Sequence, residues 1–381
     1  MTRRLRVLEM IDRPTLGGGQ IHLLTLARRL DKGLFDVAVA ASGGGPLEAE
    51  ARKAELPFVP LPIGKSLSRA EARTIAGVLR ERGIDILHTH GGVAGLAGRR
   101  AAARAGTPVV VHTLHGIHYL HYRNPFLKYA LVLAERRLAR RTDAVIFVSR
   151  ADYDRGARLR LAPKARMRLI RNGVEPLGDS GPDGARRLDA LRASLKLDGP
   201  LVAAVSRLHR QKGVVHLLKA APEILGRCPA AKIAVAGGGP LEAELRGLAT
   251  RLGLDRRVML LGEREDARDI LALADVVVLP SLWEGLPLVL LEAAQLGKAV
   301  VATGIDGVRE VLRDGETGLL VPPARPEALA EAVSRLLAEP GLAARLGEAA
   351  RAEIPAAFPV DRMVAETSRL YLELASAKIP S

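Results

Sequence analysis

The sequence predicts an α/β protein built from two Rossmann-like domains, each containing a doubly wound parallel sheet. Short apolar runs alternate with helical stretches along most of the chain, which is typical of parallel strands joined by helices. The runs form two series, separated by a segment rich in proline and glycine at residues 175–200. A chain of 381 residues is also longer than one hydrophobic core usually supports, so two domains are expected.

The strand-like runs and the segment between the two series define the expected domain boundaries. The first series comprises residues 5–11, 36–41, 85–90, 108–113, 144–149 and 168–170. The second comprises residues 201–206, 232–236, 258–261, 275–279, 299–303 and 318–321. The intervening segment has the composition of a linker, with Pro176, Gly178, Gly181, Pro182, Gly184 and Gly199. We predict an N-terminal domain at residues 1–175, a C-terminal domain at residues 176–358, and a final helix at residues 359–381 that would pack back on the N-terminal domain.

An eight-residue repeat helps to align the two halves. The sequence Gly-Gly-Gly-Pro-Leu-Glu-Ala-Glu at residues 43–50 recurs at residues 237–244. Each copy follows a strand-like run and opens a predicted helix. Shared turn chemistry would produce the same coincidence without duplication, so the repeat serves only as an alignment.

The composition excludes several classes of protein. Cys228 is the single cysteine, which excludes an internal disulfide and a cysteine-based metal site. The basic N-terminus leads into an apolar run that ends at Asp12, too short for a signal peptide. No window of about 20 apolar residues is present, so no segment is expected to span a membrane. We expect a cytoplasmic protein, peripheral on the membrane if its basic half binds lipid.

The net charge of +15 comes entirely from residues 1–175. Much of it lies at Arg123, Lys128, Arg136, Arg137, Arg140, Arg141, Arg150, Arg155, Arg158, Arg160, Lys164, Arg166, Arg168 and Arg171. An anionic partner and ordinary solvated faces of an arginine-rich chain explain this equally well. Residues 125–133 beside these cations are mostly apolar, which suits anionic lipid headgroups or a polyprenyl-diphosphate acceptor. A helix packed on the sheet is the alternative for the apolar residues.

The stretch at residues 280–297 is predicted to form the end of a strand, a loop and a helix. An apolar run ends at Pro280, Gly285 allows a turn, Pro287 suits the first position of a helix, and Gly297 would end it. Gly285 and the amides at the helix start would form an anion site.

Two glutamates in this stretch are candidates for ligand binding. The predicted helix is otherwise apolar, with Glu292 and Gln295 as its polar interior residues, and a buried carboxylate needs a partner. Glu284 lies eight residues earlier, about 12 Å away if the segment were helical, which is too far to share one bond as in a glycosidase. We interpret the two as holding two parts of one extended ligand. The alternative is that Glu292 and Gln295 form a solvent stripe and Glu284 is an ordinary surface residue.

Glycine-containing loops follow the first strand of each series. Residues 15–22 lead into the first helix, where Gly17 and Gly18 would allow a phosphate or sugar to approach the backbone. The G-x-G-x-x-G spacing is absent, which disfavours dinucleotide binding. In the second series Arg207 and Lys212 flank the strand end and helix start, and with Gly213 they would bind a diphosphate. Two solvated cations in a basic loop are the alternative.

Together these motifs resemble the GT-B retaining glycosyltransferases of family 4, over most of the chain from Gly17 to about Pro322. The motifs that carry the resemblance are Ser206-Arg207-Leu208 with Lys212-Gly213, Glu284 with Glu292, Asn172-Gly173-Val174, and residues 315–322. The resemblance implies two Rossmann-like domains that face each other across a cleft. Gln20 and the turn at residues 306–310 depart from the family pattern, and neither departure touches the predicted diphosphate site.

The resemblance also implies residue roles. Arg207 and Lys212 would bind the donor diphosphate, Glu292 the ribose hydroxyls and Glu284 the transferred sugar. The predicted donor-binding residues are Gly17, Gly18, Ser206, Arg207, Lys212, Glu284, Gly285, Leu286 and Glu292. The predicted catalytic residues are His115, Glu284, Arg207 and Lys212.

His115 matches the family histidine that ends a strand of the N-terminal domain and faces the reacting carbon. Such a histidine would donate a hydrogen bond to the sugar or to the leaving phosphate. Four more histidines lie nearby, at positions 88, 90, 112 and 118. We predict no metal site, because several of them should fall on opposite strand faces or in loops without an acidic partner at short spacing.

The predicted function is transfer of a sugar from a UDP- or GDP-sugar, with retention at the anomeric carbon and without a cofactor. No motif offers a covalent nucleophile, so the resemblance to front-face enzymes fits better than double displacement. The acceptor would be a glycan or a lipid-linked molecule, in cell-surface polysaccharide, lipopolysaccharide or glycolipid synthesis.

Two other classes stay open at this stage. A GT-B epimerase of nucleotide sugars would share the donor site and differ in its product. A nucleic-acid-binding protein would explain the charge, but 3% aromatic residues leave few side chains to stack on bases.

Overall fold

The structure is a computed structural model and describes residues 3–64, 68–176 and 181–379. The chain divides into two units, one made of residues 1–172 with residues 360–381 and the other of residues 173–359. Among the described residues, no helix is long and apolar enough to cross a bilayer.

The first unit is built on a seven-stranded sheet with the order β3-β2-β1-β4-β5-β6-β7. Every neighbouring pair of strands is parallel. The strands are β1 Leu5–Ile11, β2 Phe35–Ala41, β3 Phe58–Pro60, β4 Ile86–His90, β5 Val109–Leu114, β6 Ala144–Phe147 and β7 Met167–Leu169.

Helices cover both faces of this sheet. They are α1 Gly18–Arg29, α2 Pro46–Lys53, α3 Arg69–Glu81, α4 Gly92–Ala105, α5 Pro125–Ala139, α6 Arg150–Arg158 and, from the end of the chain, α15 Val360–Lys378. Because side chains alternate along a strand, Val7 of β1 belongs to a core with α1 and α15, whereas Leu8 belongs to a core with α3 and α4. Glu9 therefore points to the α1 and α15 side.

The second unit is built on a six-stranded parallel sheet with the order β10-β9-β8-β11-β12-β13. Its strands are β8 Leu201–Val205, β9 Lys232–Ala236, β10 Val258–Leu260, β11 Val276–Leu279, β12 Ala299–Thr303 and β13 Leu319–Val321. Its helices are α7 Gly181–Ser194, α8 Val214–Arg227, α9 Glu242–Arg251, α10 Ala267–Leu273, α11 Leu288–Gln295, α12 Asp306–Arg309, α13 Pro326–Ala338 and α14 Pro340–Ala357.

The prediction of two doubly wound parallel sheets is confirmed, and two local predictions are wrong. Strand β3 is absent from the predicted strands, because it contains Pro60 and lies between Pro57 and Pro62. It lies at the sheet edge, where a strand tolerates proline. The predicted linker at residues 175–200 contains α7, in which Leu191 is buried. Gly178 of that predicted linker lies outside the described residues.

The strand orders locate a crevice in each sheet. In the first unit successive strands run outward from β1 in one direction and from β4 in the other, and in the second unit they do so from β8 and β11. Loops diverge at such a switch point, and ligands of open α/β sheets bind there, beyond the carboxyl ends of the strands. The segments that follow β1, β4, β8 and β11 are therefore placed to contact a ligand.

Candidate functional site

The predicted donor-binding residues of the second unit follow the two strands at its switch point. Ser206 and Arg207 come directly after β8, and Lys212 ends a short 3-10 turn, Arg210–Lys212, before α8. Glu284, Gly285 and Leu286 lie in the loop after β11, and Glu292 lies in α11.

The Glu284 carboxylate joins these two segments. Its Oε1 lies 2.5 Å from Lys212 Nζ and accepts a hydrogen bond from Ser281 Oγ at 2.7 Å. Its Oε2 accepts from Gln211 Nε2 at 3.1 Å, and the same Gln211 amide donates to the Trp283 carbonyl at 3.0 Å. The Glu284 side chain is only 6% exposed, so it is not the ordinary surface residue of the alternative interpretation.

Two glycines allow the backbone segments around Glu284 to approach one another. Gly213 has φ +61°, and a Cβ there would lie 2.0 Å from the Pro280 carbonyl oxygen. A Cβ on Gly307 would lie 1.9 Å from the Gly285 carbonyl oxygen. Any side chain at either position would separate these segments, so the contact between Lys212 and Glu284 depends on both glycines.

The repeated glycine motif supports the loop after β8. A Cβ on Gly237, at φ +136°, would lie 2.0 Å from the Ser206 carbonyl oxygen, and one on Gly239 would lie 2.5 Å from the Leu208 carbonyl oxygen. In the first unit the corresponding Gly45 lies against Pro14, in the loop after β1. In both units the motif therefore fixes the loop that follows the first strand at the switch point.

Glu292 and Gln295 do not form a solvent stripe. Gln295 is buried, and its Nε2 donates to the Glu175 carbonyl at 2.5 Å. Glu292 is half-buried, and among the described residues no side chain hydrogen bonds to its carboxylate. Burial raises the pKa of Glu292, and the nearby Arg268 partly offsets this. A half-buried carboxylate without a protein partner beside the switch point is suited to accepting hydrogen bonds from ligand hydroxyls.

Ser206 is also suited to ligand contact, because its Oγ is buried without a hydrogen-bond partner in the described chain. Gln211 and Ser281, which hold Glu284 together with Lys212, are not among the residues predicted from the sequence. Two features of the sequence could have indicated them. Gln211 stands between Arg210 and Lys212, and Ser281 stands three residues before Glu284.

In the first unit the predicted Gly17, Gly18 and His115 lie at the other switch point. Gly17 caps α1 and Gly18 is its first residue. His115 directly follows β5, and a Cβ on Gly19 would lie 3.4 Å from its ring. The glycine loop and His115 are therefore neighbours within this unit.

A buried network that the sequence analysis missed surrounds His115. His115 Nε2 lies 3.1 Å from His90 Nδ1, and His90 Nε2 lies 2.7 Å from Glu9 Oε2. His22 contacts His115 edge to face, with ring centroids 4.8 Å apart. The sequence argument considered acidic partners at short spacing, whereas the acidic partner lies far along the chain: parallel pairing sets Glu9 beside His88. His112 does point to the opposite face, where it contacts Thr89.

Burial keeps three histidines of this network neutral near pH 7, namely His22, His90 and His115. Burial and the neighbouring histidines lower the pKa of His90 to about 4 and that of His22 to about 3. Burial also holds the pKa of His115 well below its usual range. Burial alone would raise the pKa of Glu9, but its contacts with His88 and His90 outweigh this and lower it.

Ring nitrogens from His22, His90 and His115 lie within 4.8 Å of one another. Three imidazoles are a donor set that suits a transition metal. The two closest nitrogens, on His90 and His115, are already at hydrogen-bond distance from each other. The hydrogen-bonded arrangement therefore accounts for that pair without an ion.

We expect the free energy of unfolding to fall as the pH is lowered from 6.5 towards 4. His90 titrates near pH 4 when folded and near pH 6.5 when unfolded, so the unfolded chain binds more protons in this window and acid favours it. Each such histidine contributes a slope of about 1.4 kcal/mol per pH unit. Urea unfolding followed by circular dichroism at several pH values measures this slope.

The control for this prediction is His22→Phe, which removes one titrating ring and keeps its shape. His22 titrates near pH 3 when folded, so the variant should lose stability less steeply on acidification. Equal slopes for wild type and variant would contradict the burial of a neutral His22.

Two family models match this chain. The family described as "Glycosyltransferase Family 4" matches residues 16–176, and the family described as "Glycosyl transferases group 1" matches residues 189–353. The alpha-maltose-1-phosphate synthase of Mycolicibacterium smegmatis is 30% identical, with 94% of this chain and 96% of that protein covered.

Two further matches bear on the fold and on substrates. The UDP-Gal:alpha-D-GlcNAc-diphosphoundecaprenol alpha-1,3-galactosyltransferase of Escherichia coli is 29% identical, with 81% of each chain covered. The crystal structure of Anabaena HepE in complex with UDP and glucose superposes with a TM-score of 0.83 at 22% identity, covering 97% of this chain and 100% of that chain. The latter similarity shows the fold.

Proposed function

We propose that this chain, which belongs to the group 1 (family 4) glycosyltransferases with the GT-B fold, transfers a sugar from a UDP- or GDP-sugar with retention of anomeric configuration. The observation that supports this proposal most directly is the contact between Lys212 and Glu284 at the switch point of the second unit. One cation for a phosphate and one carboxylate for sugar hydroxyls lie side by side there, as an extended donor requires.

Each predicted residue has a role in this proposal. Lys212 and Arg207 neutralise the diphosphate that departs with the nucleoside, which is the main electrostatic contribution to such a transfer. Glu292 accepts from the ribose hydroxyls and Glu284 from the transferred sugar. Gly285 and Leu286 offer backbone amides before α11, and Ser206 offers a buried hydroxyl. Gly17 and Gly18, where the loop after β1 meets α1, offer backbone that a phosphate or sugar can approach closely. His115, which lies beside this loop in the first unit, hydrogen bonds to the transferred sugar.

The environment of Glu284 favours front-face substitution over a covalent intermediate. Its carboxylate interacts with Lys212, Ser281 and Gln211, and a carboxylate held by three donors is a weak nucleophile. The leaving phosphate itself would take the acceptor proton. No metal cofactor is needed in this scheme, because Arg207 and Lys212 supply the positive charge.

The direct test incubates the protein with a panel of UDP-, GDP- and ADP-sugars and acceptor glycans or lipid-linked sugars, with and without EDTA. We expect release of one nucleoside diphosphate, a product whose proton NMR spectrum shows the anomeric configuration of the donor, and no effect of EDTA. An inverted product would contradict retention, and an EDTA-sensitive reaction would contradict metal independence. An epimerised donor in place of a transfer product would overturn the transferase assignment.

We further propose that the acceptor is lipid-linked and that α5 binds an anionic membrane surface. Phe126, Tyr129 and Leu133 form one stripe along α5, with Phe126 84% and Tyr129 64% exposed. The alternative, an apolar helix packed on the sheet, holds for Val132, which is buried, but not for this stripe. The E. coli relative acts on a diphosphoundecaprenol-linked sugar by its name, which supports the same class of acceptor here.

The opposite face of α5 is anchored firmly to the unit. The Arg99 guanidinium of α4 donates to both oxygens of Glu135, at 2.6 and 2.8 Å, and both side chains are buried. Arg137 lies one turn after Leu133 on the same side of the helix as the stripe, and it is exposed. Apolar rings next to a cation suit insertion among anionic headgroups.

We expect the double variant Phe126→Ser, Tyr129→Ser to lose most of its binding to phosphatidylglycerol vesicles in a flotation assay. Both side chains are exposed, so the substitutions should leave the fold intact. Leu252→Ser removes an exposed apolar side chain from the second unit and serves as the matched control, with binding unchanged. Equal flotation with neutral and anionic vesicles, or equal loss in the control, would contradict a docking surface on α5.

A further inference from the structure

A chain of buried hydrogen bonds runs from Glu9 through His90 to His115. The Glu9 carboxylate lies fully buried in β1, and its partners come from β4 and from α15. Tyr371 donates to Glu9 Oε1 at 2.6 Å, and His90 Nε2 lies 2.7 Å from Glu9 Oε2. None of Glu9, His90 and Tyr371 has a role in the proposed function so far.

Proton positions along this chain follow from its charged end. An ionised carboxylate only accepts hydrogen bonds, so His90 Nε2 must carry the proton that it shares with Glu9. Both oxygens of Glu9 have donor-type partners, the Tyr371 hydroxyl at Oε1 and a His90 ring nitrogen at Oε2, as the ionised form requires. A neutral imidazole has one N–H, which leaves His90 Nδ1 as an acceptor.

The hydrogen bond between His90 and His115 fixes the proton position on His115 in the same way. His90 Nδ1 accepts and lies 3.1 Å from His115 Nε2, so His115 Nε2 must be the donor. The proton of a neutral His115 is then used within the protein, and its Nδ1 has a lone pair and no proton.

We infer that Glu9 and His90 hold His115 in its Nε2–H tautomer, so that His115 offers the substrate a hydrogen-bond acceptor at Nδ1. Its ligand at this atom would be a sugar hydroxyl, which donates, and not a phosphate oxygen, which only accepts. This inference rests on the proposed function, in which His115 faces the reacting sugar, and it reverses the donor role that the family resemblance implied.

Glu9 and His90 are positioning residues in this account, because they act through His115. Orienting a histidine and fixing its tautomer through a buried carboxylate is an established way to preorganise a site. Tyr371 holds the other oxygen of the same carboxylate, so the last helix of the chain contributes to the orientation of Glu9.

The decisive measurement is long-range proton–nitrogen NMR of the full-length wild-type protein labelled with nitrogen-15 in histidine, at neutral pH. The His115 signals are identified by their disappearance in His115→Gln. We expect a protonated Nε2 and an unprotonated Nδ1. A proton on Nδ1 alone, or on both nitrogens, would overturn the inference.

Two variants of one residue separate positioning from packing. In His90→Gln the amide can still donate to Glu9 and accept from His115, so the tautomer should be kept and kcat largely retained. His90→Leu can do neither, so His115 should shift towards the Nδ1–H form, with kcat lowered at least about tenfold. Equal tautomers and equal kcat in the two variants would contradict the positioning role.

Tyr371→Phe controls for general damage to the network. It removes the hydrogen bonds of the Tyr371 hydroxyl to Glu9 and to His88 and leaves His90 in place, so it should lower stability and leave the His115 tautomer unchanged. The NMR result does not depend on turnover. A protein that shows the expected tautomer but transfers no sugar would refute the proposed function alone, and an active protein with the other tautomer would refute the inference alone.

Discussion

Lys212→Ala is expected to lower turnover by at least about a hundredfold, because it removes the point charge that stabilises the departing diphosphate. The protein should remain folded, since Glu284 keeps its hydrogen bonds from Ser281 and Gln211. Release of nucleoside diphosphate from the donor measures the effect, with circular dichroism as the check on folding. Glu292→Ala should have a comparable effect through loss of contacts to the ribose.

The matched control is Lys219→Ala, which removes an exposed lysine from α8, the helix that follows Lys212. Its turnover should be close to that of the wild type, because no predicted ligand contact is lost. Near-normal turnover in both Lys212→Ala and Glu292→Ala would remove the donor site from these residues.

Gly213→Ala is expected to destabilise the second unit by at least about 3 kcal/mol and to abolish turnover. The new Cβ would lie 2.0 Å from the Pro280 carbonyl oxygen at φ +61°, so the backbone must move and Lys212 must move away from Glu284. Trp283 is the single tryptophan and lies beside Glu284, so its fluorescence during urea unfolding reports on this part of the unit.

Gly253→Ala separates backbone strain from steric contact. Gly253 has a similar φ of +67°, but a Cβ there meets nothing within 4 Å. It should cost only about 1–2 kcal/mol for the left-handed conformation and leave turnover intact. Equal effects of the two substitutions would show that the close approach at Gly213 does not position Lys212.

The sequence was sufficient to predict the strands at both switch points. Buried parallel strands are nearly continuous apolar runs, and the runs at β1, β8 and β11 end at Asp12, Ser206 and Pro280, where the ligand loops begin. The contact between Lys212 and Glu284 was harder to predict from the sequence. The motifs placed each residue in a loop, but the pairing depends on β8 and β11 being neighbours in the sheet.

The hydrogen-bond network around His115 could not be predicted from the sequence. Glu9 in an apolar strand was a usable signal, since a buried carboxylate needs partners. The identity of these partners depends on the register between β1 and β4 and on the position of Tyr371, which follows Glu9 by 362 residues. Spacing in the sequence carries no information on such a contact, so the argument from short spacing failed.

Calorimetric titration of nucleoside diphosphate sugars into the wild type, Lys212→Ala, Glu292→Ala and Lys219→Ala tests the central claim most directly, because it needs no acceptor. We expect a UDP- or GDP-sugar to bind the wild type and Lys219→Ala equally. We expect its affinity to fall at least about tenfold, or about 1.4 kcal/mol, in the other two variants. Equal affinity in all four proteins would contradict a donor site formed by Lys212 and Glu292 in the second unit.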